Sequence, residues 1–255
     1  MNTKIIRKIM FLFNKARLAT AEIILPARFF VQERSYACFY KNAFPGFRSR
    51  IAEFNYRPDK LSRDANRWFM LNLILGQVKT CELGDYAELG TYRGKTARVI
   101  HQNMNQGSCL YCFDTFEGFS SDDVTSETKY SEVDVNAGLY GDTNMEIVRR
   151  YVLETRDEGS LILKKGHFPE TFRDLENKRW RFVHLDCDLS EPMKAGLEIF
   201  WPKMVAGGII VVHDYNGHYA EGVQKAVSDF CRNTGTVPVP MNDSAGSAVI
   251  VKNIL

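Results

Sequence analysis

From about residue 80 to the C-terminus, short apolar runs alternate with stretches in which apolar positions recur every three or four residues. The short runs, bounded by Gly and Asp, fit strands buried on both faces; the longer stretches fit amphipathic helices. The expected strands are DYAELGT (85–91), SCLYCFD (108–114), SLILKKG (160–166), RFVHLD (181–186) and GGIIVVHDY (207–215). Helices are expected over 64–78, from Lys95 to Asn103, and over 145–154, 191–204 and 221–231. Such alternation predicts an α/β fold, a mostly parallel sheet with helices on both faces. The end of the chain breaks the rhythm: VPVP, a turn MNDSAG and SAVIVKN read as a hairpin. Residues 118–143 are polar and aperiodic, too long for an idle connection, which marks a substrate loop or lid.

The N-terminal segment is of a different kind. Residues 1–60 hold twelve Lys/Arg against four Asp/Glu, a balance of +8; the whole chain carries +2, so the other 195 residues carry −6. The apolar run IMFLF is too short for a signal or a membrane span, and Ile5, Ile6, Ile9, Leu12 and Phe13 share a helical face. Residues 1–60 therefore read as a basic helical arm or lid before a domain at 61–255. Such an arm suits a partner subunit, with a homodimer expected, or peripheral contact with a membrane surface. The acidic body argues against nucleic acid as partner. The six cysteines show no framework spacing. In CLYC, Cys109 and Cys112 point to opposite faces of a strand, so a reducing, cytoplasmic setting is expected.

Candidate chemistry gathers where strands end. ELGTYRGKT (88–96) is a glycine turn between a strand and a helix, which lets backbone approach a ligand closely. It lacks the spacing of a pyrophosphate cradle, and Glu88 ahead of Gly90 suits a cationic ligand. Asp114, twenty-four residues beyond Gly90, is positioned to accept hydrogen bonds from a ribose. Together these suggest S-adenosylmethionine. Asp186 and Asp188 end the fourth strand and Asp214 the fifth, so three carboxylates converge; a divalent cation would offset their repulsion. His213 admits three roles: metal ligand, base, or neither. His184 reads as a core histidine and His218 as surface, and Asp188 or Ser190 as a cap of the following helix.

Five segments, ELGTYRGKT, CFDTFEGF (112–119), KKGHFPETF (164–172), HLDCDLSEPMKAGLE (184–198) and GGIIVVHDYNG (207–217), followed by GVQKAV, resemble the macrocin O-methyltransferase (TylF-like) family over about residues 64–255. The resemblance implies a Rossmann-like class I methyltransferase fold, a seven-stranded, mostly parallel sheet with an antiparallel last strand. It implies methylation of a sugar hydroxyl or another vicinal-diol acceptor, as in natural-product glycosides or polysaccharides. Glu88, Gly90 and Thr96 would lie along the methionine end of the cofactor and Asp114 on its ribose. Phe116 and the turn of Gly166, His167 and Phe168 would lie near the adenine. Thr91, Tyr92, Gly94 and Thr115 of the same motifs, with Asp186, complete the cofactor set. Asp186 and Asp214 would hold Mg²⁺ or Mn²⁺ and Asp188 would be the general base. His213 stands where the family has Asp, which keeps open a metal-independent methyltransferase using His213 or Asp188 as base. The layout of strand, glycine turn and acid also admits an NAD-dependent oxidoreductase, or a non-catalytic cofactor-binding protein.

Overall fold

The computed structural model describes residues 65–130, 136–153, 158–216, 221–243 and 245–253. The chain divides between Ser62 and Arg63, and all of the described residues belong to the second unit. The expectations for the basic arm, together with Cys38 and His218, lie outside the described residues.

Helix α1 (Ala65–Val78) leads into β1 (Asp85–Leu89), α2 (Lys95–Asn103) and β2 (Leu110–Asp114). After the short helix α3 (Ser121–Glu127) come α4 (Met145–Leu153), β3 (Leu161–Lys165), β4 (Trp180–Leu185) and α5 (Ser190–Phe200). The chain closes with β5 (Met204–Val212), α6 (Glu221–Thr234), β6 (Val239–Pro240) and β7 (Ala248–Val251). The sheet order is β3-β2-β1-β4-β5-β7-β6, with β7 antiparallel to both of its neighbours and the other pairs parallel. This is the expected Rossmann-like seven-stranded methyltransferase architecture, and the terminal hairpin supplies its antiparallel edge.

Burial explains the strand sequences. Every residue of β4, WRFVHL, is buried, because the strand is central and covered on both faces. Below it lies an aromatic cluster in which Phe200 of α5 touches Phe113, Phe168, Phe172 and Trp180 with ring centroids 5.2–5.9 Å apart. Aromatic contacts of this kind add to the transfer energy of burial, about 2–3 kcal/mol for a fully buried Phe.

Three elements differ from the expected pattern. Helix α5 stops at Phe200 and a 3-10 turn spans Trp201–Lys203, because Pro202 has no N–H to continue a helix. Strand β5 consequently begins at Met204 and ends at Val212, which leaves His213 and Asp214 just beyond it. Inside the 118–143 loop, residues 121–127 form a helix. Ser120 caps it, its side chain accepting from the Asp123 N–H at 3.1 Å, and Asp122 and Asp123 favour its positive end.

Register sets the working edge. Leu89 pairs with Leu185 and Leu185 with Val212, so Gly90, Asp186 and His213 each take the next position along one line. Backbone bonds continue past the strands: Asp186 N–H donates to the Leu89 carbonyl and His213 N–H to that of Leu185, both at 2.8 Å. Gly90, at φ 85°, is the tightest point; a Cβ there would sit 1.9 Å from the Asp186 carbonyl oxygen. Gly76 in α1 has open space around it. Gly90→Ala is expected to destabilise the protein by about 3 kcal/mol or more. Gly76→Ala should stabilise it by about 0.5–1 kcal/mol. Urea denaturation of the two variants measures both.

Candidate active site

The C-terminal ends of β1, β4 and β5 bring Glu88, Asp186, Asp188, His213 and Asp214 to one edge of the sheet. The centre of the group is Asp186. Its Oδ1 lies 2.8 Å from His213 Nδ1, and its Oδ2 accepts from Arg67 Nη2 at 2.9 Å. His213 Nδ1 also lies 2.6 Å from Asp214 Oδ2. One ligand-capable atom from each of Asp186, His213 and Asp214 falls within 4.8 Å of the others, a spacing able to hold a metal ion.

These contacts set the charge states. Burial opposes ionisation of Asp186, but the charge and hydrogen bond of His213, and then Arg67, outweigh it and hold the carboxyl well below the usual range. Burial likewise opposes a charged His213; Asp186 and Asp214 overcome it and raise the imidazole to about 10. Asp188 goes the other way: burial first, then the charges of Asp186 and Asp214, push its pKa well up. Both Asp188 (φ 58°) and Asp214 (φ 57°) hold left-handed backbone, unusual for residues with a side chain.

Glu88 is buried, with Oε2 unbonded and Oε1 3.3 Å from His184 Nδ1. Burial, and next the Asp186 charge, raise its pKa well above the carboxylate range. His184 is a core histidine, as its place in the strand suggested. Burial lowers its pKa to about 3, so it stays neutral while its Nε2 lies 3.4 Å from Arg67 Nη2.

Asp114 binds its own chain. Oδ2 accepts from the Tyr92 N–H at 2.7 Å and Oδ1 from the Phe116 N–H at 2.6 Å, which holds both residues at positive φ. Thr91 is buried with its hydroxyl unbonded, and Gly94 (φ 77°) begins α2 without a side-chain cap. Thr115 bonds the Gly118 carbonyl, and Gly166 N–H bonds the Asp114 carbonyl. Phe168 is committed to the aromatic core. His167 Nε2 lies 2.8 Å from Asp123 Oδ2, joining the turn after β3 to the loop helix.

Four residues of this edge were not singled out from sequence. Arg67 reaches it from α1. Tyr140 contacts the rings of Tyr92 and Phe119, and Asp188, then burial, then Asp214 and Asp186 raise its hydroxyl pKa. Asp142 accepts from the Tyr92 hydroxyl at 2.7 Å and pairs with Arg93, latching the loop's far end. Glu127 is buried at the end of α3, where Oε2 accepts from the Ser190 N–H at 2.7 Å. It thus caps α5 in place of Asp188 or Ser190: residue 189, not an acid, occupies the N-cap position. Gly222 leaves room for it, since a Cβ there would meet Glu127 Oε1 at 2.2 Å. Only the S-x-x-D cap of α3 could have been read beforehand, and it does not name the partners.

Comparison with known proteins adds to this geometry. Residues 87–215, half of the chain, match the Methyltransf_24 family model, described as a methyltransferase domain. No curated protein matches the chain by sequence. Among solved structures, the O-methyltransferase NovP is 17% identical, with a TM-score of 0.58 over 74% of this chain and 80% of NovP. CalS11, described as a TDP-rhamnose 3′-O-methyltransferase of calicheamicin biosynthesis, is 15% identical, with a TM-score of 0.56 over 86% of this chain and 93% of its own. A putative caffeoyl-CoA O-methyltransferase from Staphylococcus aureus is 12% identical, with a TM-score of 0.54 over 88% of this chain and 100% of its own. At such identities the likeness is one of fold.

In metal-free protein, His213 is expected to remain an imidazolium through pH 8 and to titrate near 10 by NMR of its ring. Its stabilising contribution is complete below the ordinary imidazole pKa of about 6.5 and is lost as pH rises from there through about 10. Asp186→Asn should bring the midpoint down by more than about one unit, because burial then faces a weaker opposing charge.

Proposed function

The chain belongs to the Methyltransf_24 family of methyltransferase domains, and from that membership we propose that it is an S-adenosylmethionine-dependent, divalent-metal-dependent O-methyltransferase acting on a vicinal-diol acceptor. A sugar hydroxyl of a glycoside or polysaccharide, as the TylF-like motifs imply, is the acceptor class. The observation that carries the reading is the clustering of Asp186, His213 and Asp214 within 4.8 Å beside the Gly90 turn.

The residues fit both groups. Glu88 offers a buried, unbonded carboxylate oxygen, a natural partner for the ammonium of the cofactor's amino-acid end. Two carboxylates and an imidazole form a donor set for Mg²⁺ or, better matched to the imidazole, Mn²⁺. A divalent ion held there would lower the pKa of a bound hydroxyl. Asp188, whose raised pKa makes its ionised form a stronger base than an ordinary carboxylate, would take the hydroxyl proton while the methyl passed to the oxygen and S-adenosylhomocysteine was released. Glu88, Asp186 and the turn residues orient the methyl donor; Tyr140 and the loop around it border the acceptor. The known relatives NovP and CalS11, both O-methyltransferases and the latter acting on a nucleotide sugar, support this class.

One observation favours a second reading, a metal-independent enzyme. His213 Nδ1 already bridges Asp186 and Asp214, so an imidazolium balances these acids without an added ion. Calorimetry separates the two. S-adenosylmethionine is expected to bind the metal-stripped protein, and Mg²⁺ or Mn²⁺ to bind that complex, with metal binding abolished in Asp186→Ala. Cofactor binding with no metal uptake would favour the metal-independent enzyme, and no cofactor binding would overturn both readings. Once an acceptor is found, Asp188→Asn should lower kcat by about 100- to 10,000-fold with a small change in cofactor affinity.

A further inference from the structure

The amino-acid end of S-adenosylmethionine carries an ammonium and a carboxylate, and the strand ends suit only the first. Glu88, Asp114, Asp186, Asp188 and Asp214 all lie there, so a second anion needs a corner of opposite sign. Such a corner exists between α1 and α2. Helix α2 starts at Gly94 without a side-chain cap, so its first-turn N–H groups are not bonded by a capping side chain. Thr96, in that first turn, is buried, and its hydroxyl lies 3.2 Å from Arg67 Nη2. The same Nη2 lies 2.9 Å from Asp186 Oδ2 and 3.4 Å from His184 Nε2. Among the described residues, His213 lies between Asp186 and Asp214, and Arg93 pairs with Asp142 on the surface. Lys95 is exposed to solvent. Arg67 also stands outside the segment that matches the family model, which begins at residue 87.

Resting on the cofactor reading above, we propose that Arg67 binds the carboxylate of the cofactor's amino-acid end, together with the Thr96 hydroxyl and the first turn of α2. Two features support a guanidinium in this role. It presents paired N–H donors that match a carboxylate, which an ammonium does not. Of the two cations that His213 and Arg67 bring to Asp186, it is also the one that already donates into the first turn of α2, at Thr96. When a cation arrives at Asp186, whether the cofactor's ammonium or a metal ion, Arg67 is the group displaced, and the incoming carboxylate receives it. Cofactor binding would therefore exchange one ion pair for another at Asp186. Arg67 would discriminate between cofactor forms that keep and lack the carboxylate.

The experiment compares S-adenosylhomocysteine with its decarboxylated analogue, which keeps the ammonium, sulfur, ribose and adenine. Binding of each is measured by calorimetry to the full-length chain, wild type and Arg67→Met, with Arg67→Lys as a variant that keeps the charge. Wild type is expected to prefer S-adenosylhomocysteine by about 30-fold or more, equivalent to about 2 kcal/mol. In Arg67→Met that preference should fall to within about 3-fold, while affinity for the analogue stays near wild type; Arg67→Lys should lie between. An undiminished preference in both variants would overturn the proposal, as would equal losses for both ligands, the mark of a counter-ion that only supports Asp186. Should Arg67→Met fail to fold by circular dichroism, Arg67→Lys decides: an unchanged preference overturns the proposal and a reduced one supports it. Wild-type binding of the analogue as tight as that of S-adenosylhomocysteine would also overturn it, while leaving the cofactor reading standing. Wild-type binding of neither ligand would instead overturn the cofactor reading itself.

Discussion

Asp186 is the residue around which the rest of the edge is arranged. A carboxylate four-fifths withdrawn from water, with Asp188, Asp214 and Glu88 close by, is stable only if positive charge is brought to it. At an effective dielectric constant of about 20, a unit charge at 4 Å contributes about 4 kcal/mol, enough to decide which neighbours ionise. His213 supplies one such charge from the adjoining strand and Arg67 another from a helix 119 residues away in sequence. With those two in place, Asp186 is the ionised member, and Glu88 and Asp188 are held toward their neutral forms. A single carboxylate thus distributes charge over the whole site.

The backbone carries a matching load. Tyr92, Phe116, Tyr140, Asp188 and Asp214 all have positive φ, and each stands at a strand end or on the 118–143 loop. Left-handed backbone in residues with side chains costs of order 1 kcal/mol or more apiece, and it persists where surrounding bonds leave no alternative. Here those bonds are visible: Asp114 grips the N–H of Tyr92 and Phe116, and the Tyr92 hydroxyl is held by Asp142.

How much of this was legible in the sequence follows from range. The strands, the sheet type and the closing hairpin rest on local periodicity, and they stand at nearly the expected positions. The acid cluster was legible too, because parallel strands end at one edge and Asp186 and Asp214 follow strands of recognisable pattern. What stayed hidden depends on partners far along the chain. Arg67 sits near the start of a largely apolar helix, and nothing local marks it as facing Asp186. Glu127 lies in a polar stretch without apolar periodicity, and its role appears only when Ser190 and Gly222 come to meet it. The early start of β5 was hidden for a smaller reason: Met204 and Val205 continue the apolar pattern of the helix before them, and Pro202 alone divides the two.

The seat of Glu127 ties two parts of the enzyme that a sequence would treat as separate. Its carboxylate is fixed at the start of α5, two residues after Asp188, and its own helix belongs to the loop that carries Tyr140. A shift of that helix would therefore reach the turn that holds Asp188, the proposed base. Under the proposed roles, selectivity among acceptors and reaction rate would share a mechanical linkage, and a loop remodelled for a new acceptor would have to preserve the seat at Gly222.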